Sequence, residues 1–129
     1  MDIILTPGTY YVGDPSYVTK GNEGYHWIEK MWKELYDTKD KYIYTTIDNV
    51  ELFVGRTYGG DGVFKQFYVD SGAISFIKTD NLSNDSRFNF RNFSIKGAKF
   101  ITLDTESTLT YNKGDFQVEG LLEIKTNIE

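Results

Sequence analysis

The chain has 129 residues, a formal net charge of −5, no cysteine, and an aromatic content of 16 %. That length suits one domain spanning 1–129, able to bury a core without metal or disulfide support. The lack of cysteine excludes a disulfide framework and a thiolate nucleophile, and the acidic balance argues against generic nucleic-acid binding, because neutralising phosphates takes a basic surface.

The opening segment, Met1 to Leu5, is too short and too acidic for a signal peptide, and no apolar run approaches the ~20 residues of a membrane helix. The expectation is a cytoplasmic protein without a membrane partner. Residues 2–5 read as a first strand, ended by Thr6, Pro7 and Gly8. Residues 9–12 and 16–19 read as strands on either side of Gly13-Asp14-Pro15. A helix is predicted over 24–37, where Trp27, Ile28, Met31, Trp32, Leu35 and Tyr36 fall at helical spacing, with Asn22 as its cap. This helix is expected to lie across a sheet and bury both tryptophans. Opposite charges four apart, Glu29 with Lys33 and Lys30 with Glu34, mark its outer face.

Beyond the helix the pattern is strand-like over 42–47, 50–58, 63–69, 73–79, 87–95, 99–104, 108–112 and 116–126, with turn residues between. Asp48-Asn49 reads as a hairpin turn. One helix among eight or more short strands predicts an α+β fold, mostly antiparallel, whose sheet curls into a sandwich or an open barrel.

Candidate chemistry is sparse. Asp14, Asp61 and Asp70 sit in breaks between strands. Such aspartates accept backbone N–H bonds in turns, and they are also the residues a metal-assisted hydrolase would use. "GGDG" lacks the alternating acidic ligands of a calcium loop, and "VGRTYGGDGVF" lacks the Gly-Lys-Ser/Thr and following helix of a phosphate loop. His26 is the single histidine, and neither Ser16 nor Ser71 lies in a G-x-S-x-G elbow, so a hydrolytic triad is not indicated. The stretch "RFNFRNF", 87–93, holds two of the three arginines. Read as a strand, it places Phe88 and Phe90 on one face and Arg87, Asn89 and Arg91 on the other. Arginines beside aromatic rings hold phosphate while a ring stacks on a base. The ligand-binding candidates are therefore Arg56, Tyr58, Arg87, Asn89, Arg91 and Phe93, with Asp14 and Asp70 as structural turn residues. No cofactor or metal is expected.

The order of "PGTYYVGDPSYV", "RTYGGDG" and "YVDSGAISFI" resembles a group of small phage and mobile-element proteins. Their shared segments are G-x-Y-x-[VI]-G-D-P-C-Y-V, T-x-Y-G-D-G and V-D-S-G-x-I. The likeness covers roughly the first 80 residues and is specific only in combination. Ser16 stands where many members carry cysteine, and "YGGDG" carries an extra glycine. The resemblance implies no particular reaction. It implies a phage or mobile-element protein acting in a bacterial cytoplasm. The function expected from it is a non-enzymatic inhibitor of a bacterial defence system that binds a defence protein or sequesters a signalling nucleotide, with homo-oligomers possible. A small hydrolase using the turn aspartates and a structural or virion accessory protein are the alternatives.

Overall fold

The computed structural model describes residues 2–39, 42–56, 62–64, 67–69, 73–90, 99–112, 115–118 and 122–124, of which 62–64, 67–69, 115–118 and 122–124 are described by backbone alone. Asp61, Ser71 and the predicted turns at 59–61, 70–72, 96–97 and 113–114 lie outside the described residues, as does most of the strand predicted over 87–95.

The described elements are β1 (Asp2–Leu5), β2 (Gly8–Gly13), a 3-10 turn (Pro15–Tyr17), α1 (Gly21–Asp37), β3 (Tyr42–Ile47), β4 (Val50–Arg56), β5 (Gly62–Phe64), β6 (Phe67–Val69), β7 (Ala73–Lys78), β8 (Lys99–Leu103), β9 (Ser107–Asn112), β10 (Asp115–Val118) and β11 (Leu122–Ile124). They form a five-stranded sheet in the order β3-β4-β7-β2-β8, a four-stranded sheet β1-β9-β10-β11 and a separate β5-β6 hairpin. Every pairing is antiparallel. The fold is α+β and mostly antiparallel, as the sequence predicts.

The five-stranded sheet is buried on both faces at its centre, where β2 and β7 lie. Thr45, Leu52, Ile77, Tyr11 and Phe100 form one cross-strand row. This row faces α1, because Arg56, on the same side of β4, covers the ring of Tyr36 on the helix. Tyr10, Val12, Phe53 and Phe76 point to the opposite side and are fully buried. Leu5 and Leu109, from the four-stranded sheet, are buried in the same core.

The helix turns Gly24, Trp27, Ile28, Met31 and Leu35 inward, an i, i+3, i+4, i+7, i+11 stripe. Full burial of side chains as large as Trp27, Met31 and Leu35 contributes about 1.5–3 kcal/mol each. Trp27 also donates its indole N–H to the Ile47 carbonyl at 3.1 Å. Three sequence readings are corrected here. The helix begins at Gly21, with Lys20 in the cap position and no capping side chain, so Asn22 lies within the first turn. Trp32 is only half-buried, stacked on Tyr36 at 5.7 Å, and Tyr36 is 59 % exposed. The apolar stripe is narrower than the sequence suggests, because those two rings lie on the helix flank.

The predicted hairpin at Asp48-Asn49 forms. Both residues have positive φ, 49° and 69°, and Ile47 pairs with Val50 across them. That is the two-residue turn whose twist matches the strands.

Residues 16–19 do not form the predicted strand. Pro15 starts a 3-10 turn, and Asp14, fully buried and extended at φ −67°, caps it. One Asp14 carboxylate oxygen accepts the Ser16 N–H at 2.8 Å and the Ser16 hydroxyl at 2.7 Å. The Asp14 carbonyl accepts the Tyr11 hydroxyl at 2.8 Å. Proline holds the preceding aspartate extended and fixes its own φ at a helical value, so Asp-Pro makes a corner out of what alternation alone reads as a strand.

Candidate functional site: an aromatic cleft beside β2 and β8

After β7 the chain makes a run of tight turns. Leu82 N–H bonds Thr79 C=O, Asp85 N–H bonds Leu82 C=O, and Phe88 N–H bonds Asp85 C=O, each three residues back. The run "DNLSNDS" has the turn chemistry for this. It brings 85–89 against the start of the helix: Lys20 N–H donates to the Arg87 carbonyl at 2.9 Å, and Asn89 N–H to the Val18 carbonyl at 2.6 Å. Thr19 and Phe88 form an isolated bridge.

Arg87 is therefore not on an open strand face. Asp85 holds its guanidinium at two points, Nε at 2.9 Å and Nη2 at 2.7 Å, and Nη1 donates to the Asp48 carbonyl at 3.1 Å. The hydrogen bonds between the two side chains raise the Arg87 pKa and lower that of Asp85. The side chain ties the 85–89 segment to the β3–β4 turn. Arg56 lies at the far end of β4, about six strand residues or ~20 Å away, over Tyr36. The structure does not bring Arg56 and Arg87 together. Tyr58, Arg91, Phe93 and Asp70 lie outside the described residues.

What the segment builds is a cleft. Phe88 and Phe90 stack at 5.5 Å with an 8° interplanar angle, although residues 87–90 do not run as the predicted strand. Phe88 is buried edge-on against Trp27 at 4.9 Å. Phe90 meets Tyr11 at 5.8 Å and Phe100 at 6.2 Å, the latter edge-to-face at 69°. Phe100, on β8, is 37 % exposed. Phe88, Phe90 and Phe100 line a cavity of about 680 Å³ together with Leu82, Thr79, Lys20, Ser83 and Asn89. That size lies within the range of small-molecule sites, and the lining is divided evenly between apolar side chains and the polar or charged Lys20, Thr79, Ser83 and Asn89.

Of the candidates read from the sequence, Asn89 lines this cleft. Lys20, Leu82 and Phe100 line it too and were missed. Alternation along β8 puts Phe100 on one face, but which face carries the helix is set by tertiary packing. Lys20 sits in a polar stretch with no local signature. His26 is a surface residue 3.8 Å from Glu29. Among the described residues no group of three His, Cys, Asp or Glu is arranged to hold a metal ion, and no helix is long and apolar enough to cross a membrane.

A second polar cluster lies on the other face of the sheet. Glu51 accepts from the hydroxyls of Thr6, Tyr44 (2.8 Å) and Tyr10 (3.3 Å), while Lys78 donates to Thr6 at 2.9 Å. Burial alone raises the Glu51 carboxyl, but the Thr6 and Tyr44 hydrogen bonds and the Lys78 charge outweigh it, and the net shift is down. Burial raises the Tyr10 and Tyr44 hydroxyls. The cluster fastens the β1–β2 turn to β4 and β7.

No protein-family model matches the chain, and no match is found among curated proteins or solved structures.

Proposed function

We propose that the chain is a non-enzymatic phage-encoded binding protein that counters a bacterial defence system by sequestering a signalling nucleotide in the aromatic cleft. The observation that supports this is the set of rings at Phe88, Phe90 and Phe100 around a ligand-sized cavity. Stacking of a base on such a ring is worth about 1–3 kcal/mol. Lys20 at the mouth supplies positive charge for a phosphate, and Asn89 an amide that pairs with a base edge. A net charge of −5 opposes binding a long polyanion but not a small one.

A defence protein as the target is the second reading. It is favoured by Tyr25 and Tyr36, 60 % and 59 % exposed on the same flank of α1 as half-buried Trp32. Exposed tyrosines of this kind anchor protein interfaces.

The experiment is a thermal-shift screen of the full chain against cyclic di- and trinucleotides, ADP-ribose derivatives and NAD. A ligand at 100 times its dissociation constant adds about 2.7 kcal/mol, a shift of several degrees. A shift lost in Phe90→Ala supports the cleft reading. No shift with any of these compounds moves the function to the tyrosine flank, where Tyr25→Ala with Tyr36→Ala is then scored in a pull-down from infected host lysate.

A further inference from the structure

Among the described residues, β3 is the terminal strand of the five-stranded sheet. Its sequence is YIYTTI, with no charge, no proline and no glycine. Natural edge strands are usually protected by one of those devices or by a bulge, and β3 pairs with β4 without a bulge over all six residues. The direction of its outward groups follows from the turn. A two-residue turn closes on a hydrogen-bonded pair, here Ile47 with Val50, and such pairs alternate along an antiparallel ladder. Ile43, Thr45 and Ile47 therefore bond β4, and the N–H and C=O of Tyr44 and Thr46 point away from it.

We propose that β3 docks against β3 of a second copy of this chain, antiparallel, across a two-fold axis at Tyr44. The two five-stranded sheets then continue into one another. A two-fold perpendicular to the sheet keeps like faces together only if the axis passes through a residue pair. The outward groups select Tyr44 opposite Tyr44 and Thr46 opposite Tyr42. Both helices then lie on the same side of the joined sheet.

The charges beside the edge fit this occupant. Lys30, Lys33, Glu34 and Asp37 line a groove of about 400 Å³ between α1 and the Thr46–Asp48 end of β3. Trp27 marks the helix position at Ile47. Tyr44 is three residues back along β3, about 10 Å, which corresponds to roughly six or seven residues of helix. The axis thus passes close to Lys33 and Glu34. Reversing the second helix about it sets Lys33 of each copy against Glu34 of the other, while Lys30 is held within its own copy by Asp48 at 2.6 Å.

The chain's lack of cysteine makes the test direct. Sedimentation and light scattering of the full chain across concentration are expected to show a dimer, weaker at high salt as screened surface pairs require. Thr46→Pro removes an outward N–H at an edge, where proline is tolerated, and is expected to weaken the dimer about tenfold or more with the circular dichroism spectrum unchanged. A chain carrying Lys33→Glu and a chain carrying Glu34→Lys are each expected to dimerise poorly alone, like charges then facing one another, and to pair when mixed. Under mild oxidation Tyr44→Cys is expected to cross-link, since opposite α-carbons lie about 5.5 Å apart, whereas Thr46→Cys is not, its copies being offset by four residues along the strand. A monomer at all concentrations, a chain that binds only an extended peptide of another sequence, a dimer indifferent to both Thr46→Pro and groove charge, or cross-linking at Thr46 in place of Tyr44 overturns the proposal.

Discussion

Asp85 grips the guanidinium of Arg87 at Nε and Nη2, 2.9 and 2.7 Å, while Nη1 reaches the Asp48 carbonyl at 3.1 Å. One side chain so joins the turn segment before the cleft to the β3–β4 hairpin. Arg87→Ala is expected to destabilise the fold by about 1–2 kcal/mol, because a two-point charge-assisted pair and a bond to a carbonyl are lost at a partly exposed position. Arg87→Lys is expected to recover little of this, since an ammonium cannot make the forked contact. Chemical denaturation measures the loss, and ligand titration of the same variants separates it from binding: a phosphate-binding Arg87 would lose affinity with stability intact.

The fate of Arg87 shows where the sequence is legible and where it is not. The existence of the helix, of the Asp48-Asn49 turn and of strands β1 to β4 and β7 to β9 is carried by local patterns, whereas 63–69 and 116–126, each read as one strand, are the hairpins β5-β6 and β10-β11. "RFNFRNF" alternates from Arg87 to Arg91, but Asp85 bonds the Arg87 N–H at 3.0 Å as well as its side chain, and residues 87–90 do not run as a strand. Asp14 does the same to Ser16. In both places an aspartate two residues upstream decides the backbone, and alternation of apolar residues does not record it. The cleft joins Lys20, Leu82, Phe90 and Phe100 from three separate parts of the chain, and only the meeting of 85–89 with the helix start creates it.

That meeting is close enough to require a glycine. A β-carbon on Gly24 would lie 2.6 Å from the Arg87 carbonyl oxygen, which is backbone and cannot swing aside. Alanine in a helix interior ordinarily gains about 1 kcal/mol over glycine. Gly24→Ala is expected to do the reverse and cost about 1–3 kcal/mol as an overpacked contact. Asn22→Ala, at an exposed first-turn position without a capping bond, is expected to stay within about 0.5 kcal/mol. Were Asn22 the cap, that change would cost about 1 kcal/mol. Urea midpoints of the two variants decide both points.

The stacked pair Phe88 and Phe90 separates folding from binding. Phe88 is 4 % exposed and sits against Trp27, so Phe88→Ala is expected to cost about 3–5 kcal/mol. Phe90 is half-buried at the cleft wall, so Phe90→Ala is expected to cost less stability and to abolish the thermal shift by any nucleotide that binds there. Phe90→Tyr, which keeps the ring, is expected to retain binding. If Phe90→Ala binds as the parent does, the ligand does not use the cleft.

Stability is expected to fall at both ends of the pH scale for identifiable reasons. Asp85 is lowered by the Arg87 hydrogen bonds, and Glu51 is lowered on balance by its hydroxyl partners and Lys78 against the opposing effect of burial. A carboxyl whose folded pKa is below its unfolded value contributes stability above about pH 4 and loses it as pH falls through the folded value. Tyr10, Tyr11 and Tyr44 are shifted the other way, chiefly by burial. A tyrosine whose folded pKa is raised contributes fully below its unfolded value near 10 and loses that contribution as pH rises through the folded one. Thermal denaturation from pH 2 to 11 is therefore expected to give a plateau with an acid limb and an alkaline limb. Glu51→Gln is expected to shrink the acid limb, and Tyr10→Phe the alkaline one, because each removes the titrating group while keeping most of the packing. An acid limb unchanged in Glu51→Gln and in Asp85→Asn would show that carboxylates elsewhere in the chain govern acid unfolding.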